Sequence, residues 1–138
     1  MNKNKLAAQL VIDEGLKPKV YKDSLGIETI GVGRNLRDKG LSPLEIQFLL
    51  ANDIDDVCRD LDRSLPWWRV MNETRQNVLA NMCFNMGIAR LLGFKKALAA
   101  MKEERWSDAA TEMRSSKWAE QVGDRAKRLA KLMERGEE

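Results

Sequence analysis

The sequence predicts an α+β protein that is mainly α, with one small β-hairpin set among helices. Apolar residues recur at helical spacing along most of the chain. One stretch, Lys19 to Arg34, changes instead to β-branched and aromatic residues alternating with polar ones. Serine, proline, asparagine and glycine also stand where helices should start and stop.

Leu6, Ala7, Leu10 and Val11 share a helical face, so residues 2–14 read as a first helix that Gly15 ends, with Glu14 in its last turn. Pro18 enforces extended chain, and Val20, Tyr21, Ile27, Thr29, Ile30 and Val32 then supply two strands around an Asp23-Ser24-Leu25-Gly26 turn. Ser42-Pro43-Leu44-Glu45 joins a capping serine, a proline fit for the first helical position and a glutamate able to close a capping box. The helix it opens should run over 43–64 and end before Pro66. At about 1.5 Å per residue that is roughly 33 Å, long enough to join two lobes.

Asn72 caps a helix over 73–86 whose apolar positions 78, 79, 82, 83 and 86 mark it as the central buried one, ended by Gly87. Shorter helices are expected at about 94–103, at 107–114 with Ser107 as its cap, and from Asp124 to Arg135. The organisation is a single domain over 1–138: a small β lobe at 16–41, a connecting helix at 43–64, and a helical lobe at 67–138 joined by helix 2–14.

A chain of 138 residues supports its own core, and with 43% hydrophobic and 33% charged residues it reads as a globular, soluble protein. Cys58 and Cys83 fall inside helices and are too few for a disulfide framework, so both read as packed thiols. The sequence has no histidine. That removes Ser-His-Asp and Cys-His hydrolysis and argues against a catalytic zinc site, leaving carboxylates, hydroxyls and amines.

The stretch Leu6 to Ile12 is broken by Gln9, lacks a cleavage site and is far too short to span a bilayer. The expectation is a cytosolic protein with no stable membrane insertion. Residues 1–88 carry twelve basic and twelve acidic side chains, so the net charge of +3 lies wholly after residue 88. A modest basic face suits nucleic acid and an anionic cell wall alike.

Glu14 at a helix end, Asp23 nine residues later in the turn and Thr29 six further on in the returning strand gather three polar groups near one helix terminus. Glycoside hydrolysis needs such a set, with one carboxyl protonating the leaving oxygen and another managing water or the developing oxocarbenium charge. By residue type and spacing alone, the three read more readily as a solvated charge, a turn former and a strand former. Trp106 and Trp118 fall among helical apolar positions and read as packing; Trp67-Trp68 stays open between packing and sugar stacking. Lys127, Arg128 and Lys131 read as a solvated face.

The local text favours chemistry. Ile12-Asp13-Glu14-Gly15, Tyr21-Lys22-Asp23 and Thr29-Ile30-Gly31-Val32-Gly33 resemble the phage-type lysozymes, the muramidases of glycoside hydrolase family 24. In that family a helix-end glutamate before glycine, an aspartate nine residues on and the threonine opening Thr-Ile-Gly-x-Gly form the catalytic triad, matched here by Glu14, Asp23 and Thr29. The likeness continues through Asn81 to Gly87, Phe94, Trp106 with Ala109-Ala110, Ser116-Lys117-Trp118 and Arg125-Ala126-Lys127-Arg128.

The resemblance implies a lysozyme-like two-lobe fold with a cleft between the lobes, inverting hydrolysis of peptidoglycan, no metal or cofactor, and a monomer that binds no nucleic acid. It further implies an endolysin held in the cytoplasm of an infected host until a holin gives access to the wall. Phe84, Asn85 and Lys117 stand at its substrate-binding positions, and Arg125 matches an arginine that pairs with the catalytic glutamate.

There are departures. The family's histidine after Thr-Ile-Gly-x-Gly is Arg34 here, expected to pair with Asp53 or Asp55 on the long helix, and the segment from Arg34 to Ser42 is shorter than in larger members. The rival readings are a non-catalytic wall-binding module, which predicts loss of a triad residue, and a helical nucleic-acid binder. The second is disfavoured by the absence of a recognition motif and by Glu103, Glu104, Glu112 and Glu120 spread through the basic end.

Overall fold

The computed structural model describes residues 1–138. Eight α-helices and one small sheet follow in the order α1 (Lys3–Glu14), β1 (Lys17–Lys22), β2 (Glu28–Gly31), β3 (Arg34–Asn35), α2 (Pro43–Ser64), a 3-10 turn (Pro66–Val70), α3 (Glu73–Met86), α4 (Ile88–Leu91), α5 (Lys95–Lys102), α6 (Trp106–Arg114), α7 (Lys117–Val122) and α8 (Asp124–Arg135). The mainly α, α+β expectation is met. No helix is long and apolar enough to cross a membrane.

By internal contacts the chain falls into two compact units, Met1–Leu49 and Leu50–Glu138, with the boundary inside α2. Residues 2–14, which the sequence reading grouped with the later helices, count here with the sheet. In this first unit Asn2 caps α1 by accepting the Lys5 N–H at 3.0 Å, and Gly15 at φ +81° ends the helix, donating its N–H to Val11 at 2.9 Å.

The sheet is antiparallel in the order β1-β2-β3. Pro18 lies in the edge strand β1, where a missing N–H is tolerated. The β1–β2 register jumps from Lys17↔Gly31 to Tyr21↔Thr29, so β1 is bulged. The third strand was not expected from the sequence; it is two residues long and pairs Arg34 with Ile30 and Asn35 with Thr29.

The second unit holds the hydrophobic core. Leu61 from α2, Leu79 and Met82 from α3, Ala109, Ala110 and Met113 from α6, and Ala130 and Met133 from α8 are all fully buried. The central position expected for helix 73–86 holds: its positions 78, 79, 82 and 83 are buried, and Asn72 caps it through Arg75 N–H at 3.0 Å. Both cysteines are free, and burial pushes the Cys83 thiol up to about 11.

Trp118 and Trp68 are buried, as packing predicts for the first. Trp68 donates its indole N–H to Asp62 at 2.7 Å, and Arg69 grips the same carboxylate while stacking on the Trp68 ring. Arg69 first, and the indole after it, hold Asp62 down at about 2.

Three helices differ from expectation, the first being the four-residue α4, which the sequence did not predict. Ser107 is not a cap: α6 begins one residue earlier at Trp106, and Arg105 before it is engaged with Glu103 and Asp108. The short α7 was not anticipated, although Ser116 caps it by accepting the Ala119 N–H at 3.1 Å.

Candidate active site

Glu14, Asp23 and Thr29 all lie in the first unit, on the end of α1, the β1–β2 turn and β2. Asp23 is half-buried and builds its own turn. Its Oδ1 accepts the N–H groups of Leu25 at 2.8 Å and Ile27 at 2.9 Å, while its backbone pairs with Ile27 and Gly26. This is the local backbone capture that aspartate performs in turns. With Oδ1 occupied, Oδ2 is the oxygen left for other chemistry.

Thr29 is the one buried residue of this unit, 3% exposed. Its hydroxyl donates to the carbonyl of Ile27 at 2.8 Å. The single proton is thereby spent within the protein, and the lone pairs of Oγ1 remain as acceptors. The Ile27 backbone thus ties the two side chains together, its N–H on Asp23 and its carbonyl on Thr29. Ile27 did not stand out in the sequence; the Asp-x-x-x-Ile spacing of the turn is the signal that marks it.

Glu14 is exposed and its carboxyl packs over Gly33, where an added Cβ would lie 3.0 Å from Oε2 and 3.2 Å from Cδ and Cγ.

Arg34 corrects the sequence reading. Its partner is Glu45, not Asp53 or Asp55: Nη2 lies 2.7 Å from Oε2, Nη1 donates to Oε1 at 2.9 Å, and Nη1 also reaches the Gly40 carbonyl at 3.0 Å. Glu45 is the capping-box residue, whose Oε1 accepts the Ser42 N–H at 2.8 Å. Asp53 stands two turns further along α2, about 12 Å at about 1.5 Å per residue, and is exposed. The carboxylate that ends the short 34–42 segment is the one within reach.

The Arg34 hydrogen bond, followed by those from Ser42, holds Glu45 down at about 2, from an ordinary 4.5. A depressed carboxylate pKa gives stability that is present above the unfolded value and lost as pH falls through the folded one. The difference in denaturation midpoint between wild type and Glu45→Gln should therefore be constant from pH 6 to 9 and shrink between about 4.5 and about 2. A difference that does not change across that acid window would show that the pair is not its source.

The other expected residues lie in the second unit. Arg125 is half-buried and donates from Nε and Nη2 to Asn81 Oδ1 at 3.1 and 2.7 Å. Asn81, Arg125 and the 47% exposed Phe84 line a hollow of about 300 Å³ with Leu50, Ile54 and Val57. Asn85 accepts the Trp118 indole N–H at 2.8 Å, which leaves its amide nitrogen free to donate. Trp118 in turn meets Phe94 edge-on at 6.1 Å, and Lys117 is exposed at the start of α7.

A mainly helical chain with a small antiparallel sheet, carrying a glutamate on a helix end and an aspartate and threonine on the sheet, has the lysozyme-like α+β fold. The profile of the phage lysozyme family matches residues 12–138, and the chain belongs to that family. It is 29% identical to probable T4-type lysozyme 2 of Dictyostelium discoideum, a match covering 95% of this chain and 94% of that protein. Probable T4-type lysozyme 1 of the same organism is 26% identical over 92% of each chain. The pre-baseplate central spike protein Gp5 of Enterobacteria phage T4 is 29% identical over 93% of this chain but 27% of its own length. The protein is accordingly a glycoside hydrolase, a muramidase acting on peptidoglycan.

Proposed function

We propose that the chain hydrolyses the β-1,4 bond between N-acetylmuramic acid and N-acetylglucosamine with inversion, Glu14 acting as general acid and Asp23 with Thr29 directing water. The observation that carries this is the shared Ile27 backbone. It consumes the Thr29 proton and, with Leu25, the Asp23 Oδ1, so that two acceptors, Thr29 Oγ1 and Asp23 Oδ2, remain.

A water donating one hydrogen to each turns its lone pair outward, toward an anomeric carbon. As it attacks, Asp23 takes its proton while Glu14 delivers one to the departing glycosidic oxygen. No covalent sugar intermediate forms, and the two carboxyls are expected about 6.5–9.5 Å apart to leave room for the water. On the second unit, Phe84, Asn85 and Lys117 offer an apolar face, an amide donor and a charge for glycan contact.

The role belonging to this reading is that of an endolysin, held in the cytoplasm of an infected bacterium until a holin opens the way to the wall. Two measurements test the reading. Early in the digestion of soluble, uncross-linked peptidoglycan, proton NMR should find the new reducing ends as the α-anomer; a β-anomer would mean a covalent intermediate and remove the water-directing role of Asp23. Bacteria producing the protein internally should stay turbid until the inner membrane is opened, and spontaneous lysis would overturn the holin requirement.

A further inference from the structure

We propose that Gly33 is a positioning residue for Glu14: the missing side chain at the β2–β3 connection is the space in which the Glu14 carboxyl is held. This inference rests on the reading of Glu14 as the general acid.

Glu14 ends α1 just before its glycine cap, and glutamate carries three rotatable side-chain bonds whose freedom must be restrained if the carboxyl is to work from one place. Its carboxyl makes no ion pair and no hydrogen bond within the chain, so packing is what restrains it. That packing is on Gly33. A Cβ there would sit 3.0 Å from Oε2 and 3.2 Å from both Cδ and Cγ, tighter than most such contacts in folded proteins, on the side chain's last three groups rather than its base. The glutamate would have to yield by a few tenths of an ångström, and catalytic geometry is sensitive to displacements of that order.

Glycine at 33 thus answers two demands. The connection from Ile30 to Arg34 needs a left-handed residue at φ +66°, and the carboxyl needs room.

The same connection contains the means to separate them. Gly31 has φ +69°, so alanine there incurs the same backbone strain, yet nothing lies within 4 Å of its added Cβ. Gly31→Ala and Gly33→Ala should lower the melting temperature by similar amounts. With soluble peptidoglycan as substrate, Gly33→Ala should cut kcat tenfold or more with KM little changed, and Gly31→Ala should cut it less than twofold. Shortening the acid makes room, so adding Gly33→Ala to Glu14→Asp should cost less than threefold beyond Glu14→Asp alone.

Equal kcat losses for the two glycine variants, or a full tenfold cost of Gly33→Ala in the Glu14→Asp background, would overturn the proposal. If alanine prevents folding, the comparison is repeated with asparagine, the side chain that best accepts left-handed backbone. Glu14→Gln, assayed alongside, keeps the two claims apart. An active Gln variant refutes the acid assignment, whereas an inactive one with indistinguishable glycine variants refutes the positioning alone.

Discussion

Glu14→Gln should melt close to the wild-type temperature and hydrolyse peptidoglycan about 10²–10⁴-fold more slowly, the range typical for loss of a general acid. Glutamine keeps the length and shape of the side chain, so the contact over Gly33 survives. Glu14 is exposed, so little stability depends on its charge. What disappears is the transferable proton, and an oxygen leaving a sugar without one departs as an unfavourable alkoxide. Release of reducing sugar from purified walls measures the loss. Activity within a few-fold of wild type, at an unchanged melting temperature, would assign the acid to another residue.

Asp23→Asn should be nearly as damaging to turnover and nearly as harmless to folding. Asparagine retains an oxygen to accept the Leu25 and Ile27 N–H groups, so the β1–β2 turn is preserved. In place of Oδ2 it presents an amide NH₂, which cannot take a proton from water. The expected fall in kcat is again about 10²–10⁴-fold. Asp23→Ala separates the two duties of the carboxylate, since it also forfeits both turn hydrogen bonds, at about 0.5–1.5 kcal/mol each. Circular dichroism melts of the two variants beside their kinetics make the comparison. If Asp23→Asn destabilised the protein as much as Asp23→Ala, the turn would depend on charge, and the kinetic loss would no longer report on water activation.

Much of this arrangement is legible without coordinates, because the signals involved are local. Ser42-Pro43 with Glu45 marks the start of α2 at Pro43, and Asn72 marks α3 at Glu73, since a cap and the helix it starts are neighbours in sequence. The features that escaped depend on partners elsewhere in the chain. A strand as short as β3 has no periodicity to read, and Arg34-Asn35 is a strand only because Thr29 and Ile30 lie alongside.

Glu45 illustrates the same limit within one side chain. Its capping oxygen follows from the Ser42-Pro43-Leu44-Glu45 sequence, but its second oxygen faces Arg34 from eleven residues away, whereas the family pattern places the partner further down the helix. For the site, residue types and spacing put Glu14, Asp23 and Thr29 on the right elements. The division of labour between the two oxygens of Asp23, and the direction of the Thr29 hydroxyl, are decided by the Ile27 backbone, which only the Asp-x-x-x-Ile spacing of the turn marks in the sequence.

The C-terminal end of α8 is held by residues from the start of α3. Arg75 donates to the carbonyls of Met133 at 2.7 Å and Glu134 at 2.9 Å while its guanidinium lies over Trp106, and Asn72 donates to that of Gly136 at 3.0 Å. These links span about sixty residues, and α8 also supplies Ala126, Leu129, Ala130 and Met133 to the core. A unit closed by its last helix cannot finish folding while that helix is still inside the ribosome. During synthesis Leu79 and Met82 must wait with their apolar surface open, in a nascent chain exposed to chaperones and proteases, until residue 136 has cleared the exit tunnel. The second unit therefore cannot close before α8 is delivered, and its vulnerable interval is set by the time the ribosome takes to reach the final turn of that helix.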